Sequence, residues 1–422
     1  MNSFVKDSLS KIVRHAYTTV PTYQEFLHEK GMTIDDFDVS KFHHLPLIDK
    51  SIALNGNMLS SVFNNNLATK DIIIRRTSGS SGHYMKIYWN RHDDLRSMLQ
   101  LFYRRKKYYN ISTNDKNCYF YTTNYINNRF VAEDDESLSL DGNSLGFCKL
   151  NLTQERVGEI YERILAFNPI WLNFQPSLAL IVADHIKANK LPAIKDLRYI
   201  ELTGEYLTLD MRAELSNIFK CKIANQYGCI ETNSIASDCG GNQLFVNTSN
   251  VYVEIIKNGQ VLPDGEVGDI YITSLANYAM PFIRYRIGER GSLSPAKLTG
   301  NDSNQLVLNL LNGRTSTFIR TERAERLPLY IFYKPIEFIN EKIGNIISQF
   351  QVEQIAIDQF NVNLVIKNEY IGWKNTVMEM FIAQLKNDDL RNAKWHFSFS
   401  ERLFPDEKTG KLNFFVNRMK EI

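Results

Sequence analysis

Arg76-Thr77-Ser78-Gly79-Ser80-Ser81-Gly82 lies between a β-branched run, Ile72-Ile73-Ile74, and an alternating one, Met85-Lys86-Ile87-Tyr88-Trp89. The pattern predicts a strand, a loop of hydroxyls and glycines, and a second strand. Glycines let a ligand come close to the backbone, and exposed amides with Ser/Thr hydroxyls form a concave donor set suited to phosphate oxygens. Taken alone, the composition favours a flexible connector. The stretch is not the phosphate loop of nucleoside triphosphatases, since no Gly-Lys-Ser/Thr closes it and no helical pattern follows. A phosphate role therefore depends on partners elsewhere in the chain.

The chain has 422 residues, too many for one ordinary core, so two or more domains are expected. A hydrophobic fraction of 44%, a charged fraction of 23% and a net charge of +2 describe a globular chain with no electrostatic case for nucleic acid or an anionic membrane. Cys118, Cys148, Cys221, Cys229 and Cys239 are scattered and odd in number, which argues against a disulfide framework and a structural zinc site. The N-terminal residues lack a signal-peptide pattern, and no window approaches the roughly 18 apolar residues of a membrane span. The expected location is cytoplasmic.

Val5, Leu9, Ile12, Val13 and Ala16 fall on one helical face, and a connector is predicted from Pro21 through Leu45-Pro46-Leu47. Asn64-Asn65-Asn66 reads as a solvated turn. Strand-like and helix-like runs then alternate to about residue 290. Tyr119-Phe120-Tyr121, Ile170-Trp171-Leu172 and Tyr199-Ile200-Glu201-Leu202 read as strands. Val157, Ile160, Tyr161, Ile164 and Leu165 form a helical stripe, and Pro176 opens another helix. This alternation marks an α/β architecture. Near residue 250 the period becomes two, with Asn258-Gly259 as a hairpin signal, which predicts an appended antiparallel β subdomain at about 245–300. Beyond Asn312-Gly313-Arg314 two strands (Ile355 to Ile366) and a helix stripe (Val377, Met378, Phe381, Ile382, Leu385) predict a small α+β domain. The domains expected are 1–312 and 313–422.

Four further stretches carry candidate chemistry. Asn225-Gln226-Tyr227-Gly228-Cys229-Ile230-Glu231 places a ring, a glycine and a carboxylate within one short turn. Glu231 reads either as a Mg²⁺ ligand beside phosphates or as an ordinary acid at a helix start. In Tyr285-Arg286-Ile287-Gly288-Glu289 the acid suits two ribose hydroxyls, and a surface turn is the plain alternative. Gly313-Arg314 suits a hinge with a phosphate or ribose contact, or a linker with a solvated arginine. Pro405-Asp406-Glu407-Lys408-Thr409-Gly410-Lys411 is a turn-rich loop whose lysine either delivers charge to a transition state or is a surface lysine.

Taken in order, Ser/Gly loop, Thr203-Gly204-Glu205, Tyr-Gly-x-x-Glu, Tyr-Arg-x-Gly-acid, Gly-Arg and Gly-Lys resemble the motifs of the adenylate-forming enzymes: acyl-CoA synthetases, luciferases and peptide-synthetase adenylation domains. The chain is most similar to the phenylacetate–CoA ligase branch with its CapK-like members. His15-Ala16-Tyr17, Val20-Pro21-Thr22-Tyr23, Leu45-Pro46-Leu47-Ile48-Asp49-Lys50 and Pro176-Ser177-Leu178 support this. Ser274-Leu275-Ala276-Asn277-Tyr278-Ala279-Met280-Pro281-Phe282-Ile283-Arg284-Tyr285 does so most clearly. The resemblance spans essentially the whole chain.

The resemblance implies a large N-terminal α/β domain with its β subdomain and a small mobile C-terminal α+β domain. It implies ATP, Mg²⁺ and coenzyme A as cofactors. Thr77, Ser78, Gly79, Ser80, Ser81 and Gly82 would hold the phosphates, Gly204 and Glu205 would line the adenine and ribose side, Tyr227 would stack on adenine, and Gly228 would be among the cofactor-binding residues. Glu231 would hold Mg²⁺, Glu289 would take the place of the usual ribose-binding aspartate, and Arg314 would precede the hinge, where Ser316-Thr317 replaces the usual aspartate. Lys411 would contact the acid and α-phosphate. Lys86 is not counted as catalytic, and Phe245, where relatives often carry histidine, leaves zinc unpredicted. The implied activity is acid activation as an acyl adenylate, then transfer to coenzyme A. A carrier-protein thiol or an amine is the alternative acceptor, and a degenerate adenylate-binding protein is the non-enzyme alternative. The expected partners are a carboxylic-acid small molecule and a second copy of the chain. Residues 119–125, 171–174 and 226–228 are candidate pocket walls.

Overall fold

The computed structural model describes residues 3–29, 33–64, 69–76, 85–121, 125–126, 129–130, 142–148, 154–296, 305–314, 318–322, 326–328, 332–344, 346–385, 388–404 and 413–419. Residues 77–82, 316, 317 and 405–411, and with them the Ser/Gly loop and Lys411, lie outside the described residues. Hydrophobic periodicity sets most of the rest. Val5, Leu9, Ile12, Val13 and Ala16 are buried along the helix Ser3–Thr19. Pro21 opens a second helix, Pro21–Glu29, where the sequence pattern predicts a connector. Proline is tolerated in a first turn because its missing N–H has no partner there anyway.

Among the described residues the main sheet has twelve strands. Across it run Gln260–Val261, Val251–Lys257, Gly268–Ser274, Tyr285–Pro295, Leu306–Arg314, Leu244–Val246, Asn233–Ser237, Lys222–Cys229, Tyr199–Thr203, Trp171–Phe174, Asn117–Tyr121 and Ser144–Cys148. From Lys222–Cys229 to the Ser144–Cys148 edge neighbouring strands are parallel, and towards the other edge they are antiparallel. The antiparallel part is therefore continuous with the α/β part through the hairpin of Lys222–Cys229 and Asn233–Ser237. Asn258 and Gly259, at φ 53° and 78°, make the predicted tight turn. The strand Leu306–Arg314 extends past Asn312 and sets Arg314 opposite Glu289.

One face of the parallel strands is apolar. Leu172, Phe174, Ile200, Leu202 and Ile223 pack there with Ile160, Ile164, Leu178 and Ile181 from the helices Gln154–Phe167 and Pro176–Asn189. The helix Arg91–Tyr109 covers the other side, bonded to Glu201 through Arg105 and to the carbonyls of Phe245 and Val246 through Arg104. A separate C-terminal α+β domain is built on a four-stranded sheet ordered Lys394–Phe399, Gln359–Ile366, Ile347–Ala356, Phe415–Asn417. Phe332, Val352, Phe360, Val362, Val377 and Phe381 form its core. Arg402 reaches from that domain to the carbonyl of Ile181 at 3.0 Å.

Arg284 is a deeply enclosed charge, 2% exposed and at φ 50°. Its Nε and Nη2 donate to Glu254 at 3.2 and 3.0 Å, and Nη1 donates to the carbonyls of His43 and Leu45 at 2.5 and 2.6 Å. Removing one member of a buried pair strands the other, typically at a cost of about 3–5 kcal/mol. Arg284→Met is accordingly expected to lower unfolding stability in urea by about that amount. The double replacement Arg284→Met with Glu254→Leu should recover a large part of it.

Candidate active site

Ligands of open α/β sheets sit beyond the carboxyl ends of the parallel strands. Here Thr203 ends one such strand, and its hydroxyl donates to Gln226 Oε1 on the next strand at 2.6 Å. Gly204 follows at φ 84°, in the region glycine enters without strain. Glu205 beside it is half-buried. The chain thus turns sharply away at the point where Gln226 and Tyr227 come up from the neighbouring strand.

The Tyr-Gly-x-x-Glu stretch lies at a β-hairpin. Asn225, Gln226, Tyr227, Gly228 and Cys229 are strand, and only residues 230–232 turn. The reading of the whole stretch as one turn, with Glu231 as a solvated helix-start acid, is thereby corrected. Asn233 at φ 60° opens the return strand, and Glu231 is 9% exposed. Gly228 is fixed by space. A Cβ there would stand 2.1 Å from the Asn233 carbonyl oxygen and 2.8 Å from Gln226 Nε2. The hairpin therefore presents Tyr227 on one side of the glycine and Glu231 on the other.

Two contacts join this hairpin to the strand Tyr285–Pro295. The Tyr227 hydroxyl donates to the Glu289 carboxylate, and the Tyr285 hydroxyl donates to Glu231 Oε1 at 3.2 Å. Tyr285-Arg286-Ile287-Gly288-Glu289 is strand, not the surface turn that composition alone allows. Burial first, then the charge of Glu231, raises the Tyr285 hydroxyl far above the ordinary tyrosine range, so it remains a donor. The same two causes raise the Cys229 thiol, which disfavours its thiolate. Arg314 pairs through its backbone with Glu289, which brings Tyr227, Glu289 and the main chain of Arg314 together, while Glu231 joins the same strand at Tyr285.

The strands flanking the Ser/Gly loop dock on the same hairpin. Ile72–Arg76 and Lys86–Asn90 pair antiparallel. Trp89 Nε1 donates to the Ile230 carbonyl at 3.1 Å, and Arg75 Nη1 donates to Asn233 Oδ1 at 3.1 Å. Arg75 also pairs with Asp94 at 2.5 Å. Lys86 is exposed on its strand. The N-terminal stretches converge here too. His15 contacts the Tyr278 carbonyl at 2.8 Å, the Tyr23 hydroxyl bridges the Pro281 carbonyl and the Ile283 amide, and Ile48 forms a parallel bridge with Tyr285.

Among the described residues no group of three or more His, Cys, Asp or Glu is placed to hold a metal. A single carboxylate such as Glu231 nevertheless fits Mg²⁺, which keeps several waters and takes one or two carboxylates plus substrate phosphates. Sequence reading did not find the helix Arg91–Tyr109 or its buried Asp93, Arg104 and Arg105, because charged residues on the inward face erase the apolar stripe. Its signals are Asn90 as N-cap, accepting from the His92 amide at 3.0 Å, and the left-handed Asn110 at its end. No helix among the described residues is long and apolar enough to cross a membrane.

No model of a known protein family matches the chain. Over 413 residues it is 22% identical to protein CapK of Staphylococcus aureus, covering 94% of this chain and 85% of that one. Over 324 residues it is 24% identical to the phenylacetate–coenzyme A ligase of Pseudomonas putida, covering 71% and 70%. The fold is similar to that of a 2-hydroxyisobutyryl-CoA ligase in its postadenylation state with an acyl-AMP, with TM-score 0.76, 12% identity, and coverage of 98% and 88%. In the thioesterification state the same ligase gives 0.61 at 14% identity, with the same coverage. A large sheet that turns from parallel to antiparallel, with a separate α+β domain, is the fold this chain shares with that adenylate-forming CoA ligase. In sequence its curated relatives are CapK and phenylacetate–coenzyme A ligases.

The crowding at Gly228 gives a direct check on the hairpin. Gly228→Ala forces backbone movement, since the atom in the way is a carbonyl oxygen, and overpacking of this kind costs about 1–3 kcal/mol. A thermal midpoint clearly below that of the wild type is expected, whereas Tyr227→Phe, which removes only the hydroxyl, should lower it less.

Proposed function

We propose that this protein condenses a carboxylic acid with ATP to an acyl adenylate and pyrophosphate, and then transfers the acyl group to the thiol of coenzyme A. The observation that carries this reading is the meeting of Tyr227 with Glu289 and of Glu231 with Tyr285 around one hairpin. In the first step a carboxylate oxygen attacks the α-phosphorus and the bond to the β-phosphate oxygen breaks. In the second the thiol, losing its proton, attacks the acyl carbon and AMP leaves.

Each residue then has a task set by its chemistry. Tyr227 stacks on adenine, and its hydroxyl holds the Glu289 carboxylate, which accepts the ribose hydroxyls. Gly204 and Glu205 close the adenine side, with Gly228 letting the hairpin lie flat against the ring. Glu231 and the phosphates hold Mg²⁺, which neutralises charge when bound. Thr77, Ser78, Gly79, Ser80, Ser81 and Gly82 hold the β- and γ-phosphates as pyrophosphate departs. Arg314 contacts the ribose or phosphate, and Lys411 lowers the repulsion between acid and α-phosphate. Residues 1–312 and 313–422 are the two bodies whose rotation would separate the half-reactions, with Lys411 moving away for the second.

The match to CapK spans 94% of the chain against 71% for the ligase, so a carrier-protein thiol or an amine is the acceptor to test beside coenzyme A. Acid-dependent exchange of pyrophosphate into ATP tests the first step independently of the acceptor. Glu231→Gln and Lys411→Ala should each lower that exchange by about 10²–10³-fold while the protein stays folded. Chelating Mg²⁺ should abolish it. A folded protein that binds ATP but exchanges with no acid would favour the degenerate adenylate-binding protein.

A further inference from the structure

The two faces of the central parallel strands differ sharply. Leu172, Phe174, Ile200 and Leu202 point into an apolar core, but the alternate positions on the other face are Trp171, Asn173, Tyr199, Glu201 and Thr203. Glu201 is 1% exposed and accepts four hydrogen bonds. Arg105 supplies two of them, at 2.8 and 2.5 Å, the Tyr199 hydroxyl one at 2.8 Å and the Asn173 amide one at 3.2 Å. The Arg105 guanidinium also lies over the Trp171 ring, 4.7 Å from its centroid.

A buried ion pair is weak as a stabilising device, because apolar residues of similar volume commonly do as well. Its presence on one face only, beside an ordinary apolar core on the other, asks for another reason. Register supplies it. Asn173 stands opposite Glu201, and one step further along Thr203 stands opposite Gln226, so the polar face leads out to the carboxyl ends of three adjacent parallel strands. Gln226 adjoins Tyr227, and Thr203 adjoins Gly204. Asn173, Thr203 and Gln226 are only half-buried. Among the described residues nothing accepts a hydrogen bond from the buried Trp171 Nε1.

We propose that the Asn173–Glu201–Thr203–Gln226 face receives the acyl part of the activated acid, and that this acid carries neutral hydrogen-bonding groups, hydroxyl or amide, beyond its carboxylate. This rests on the acid-activating reading above. Arg105 and Glu201 cancel each other's charge, so the face offers dipoles, not a counter-ion, and selects neutral polar groups over ammonium or a second carboxylate. A bare alkyl or aryl chain would cover the half-buried Asn173, Thr203 and Gln226 side chains without replacing the hydrogen bonds their exposed polar atoms make with water. Sites built to bond a polar group discriminate strongly against analogues that lack it.

Matched acids test this: butyrate against β-hydroxybutyrate, phenylacetate against para-hydroxyphenylacetate, and pentanoate against succinamate. Pyrophosphate exchange reads activation, and saturation-transfer NMR reads binding of each free acid in the presence of AMP. The polar member is expected to be preferred by about tenfold or more in at least one pair, with Asn173→Leu narrowing that preference and Asn173→Gln largely retaining it. Circular dichroism confirms that both variants fold. Equal or better use of the apolar members, a preference that Asn173→Leu leaves unchanged, or no binding of any polar acid overturns the assignment. Binding of polar acids that depends on Asn173 without any exchange would uphold this face as the acyl site and remove the ligase reading.

Discussion

The burial of the Arg284 charge constrains everything around it. A guanidinium with five donors and no route to water must find acceptors, and Arg284 finds them on Glu254 and on the carbonyls of His43 and Leu45. Those carbonyls belong to the segment that continues to Ile48, which bonds to the main chain on both sides of Tyr285. Tyr285 in turn donates to Glu231. One buried charge thus ties the N-terminal segment, the antiparallel strands and the hairpin carboxylate into a single unit. The stretch Ser274-Leu275-Ala276-Asn277-Tyr278-Ala279-Met280-Pro281-Phe282-Ile283-Arg284-Tyr285 supplies both the buried charge and the hydroxyl that holds the hairpin carboxylate.

The sheet divides its labour by direction. Its parallel half ends in turns that expose Thr203, Gly204 and Gln226, while its antiparallel half carries Glu289 and Arg314 back to the same edge. The hairpin at Gly228 is where the direction reverses, and no side chain fits between its strands there. A tyrosine ring and a carboxylate thus stand on opposite sides of that glycine, at the reversal itself. The helix Arg91–Tyr109 then adds buried charge above the parallel strands, leaving one of their faces apolar and the other polar.

Much of the fold was legible in the sequence because the period of the apolar residues is set by local geometry. The strands at Trp171–Phe174 and Tyr199–Thr203, the Asn258-Gly259 turn and the C-terminal strand pair follow from it. What failed did so for physical reasons. Glu231 reads as a surface acid because burial of a carboxylate depends on Tyr285, more than fifty positions away. The helix Arg91–Tyr109 is obscured because Asp93, Arg104 and Arg105 occupy inward positions normally held by apolar residues. Arg284 and Glu201 give no local signal at all, since their partners come from other strands and helices. The order of the motifs was readable, but the pairing of Tyr227 with Glu289 and of Glu231 with Tyr285 is a property of the fold.

If an oxygen of the acid becomes bonded to the α-phosphorus of ATP, an acid carrying heavy oxygen in both carboxylate positions will pass that label to the nucleotide. Turnover with ATP and an acyl acceptor, followed by mass spectrometry of the nucleotide, should give AMP bearing one heavy oxygen, because the acyl carbon leaves that oxygen behind on the phosphate. Unlabelled AMP, or ADP with the heavy oxygen in inorganic phosphate, would contradict the account.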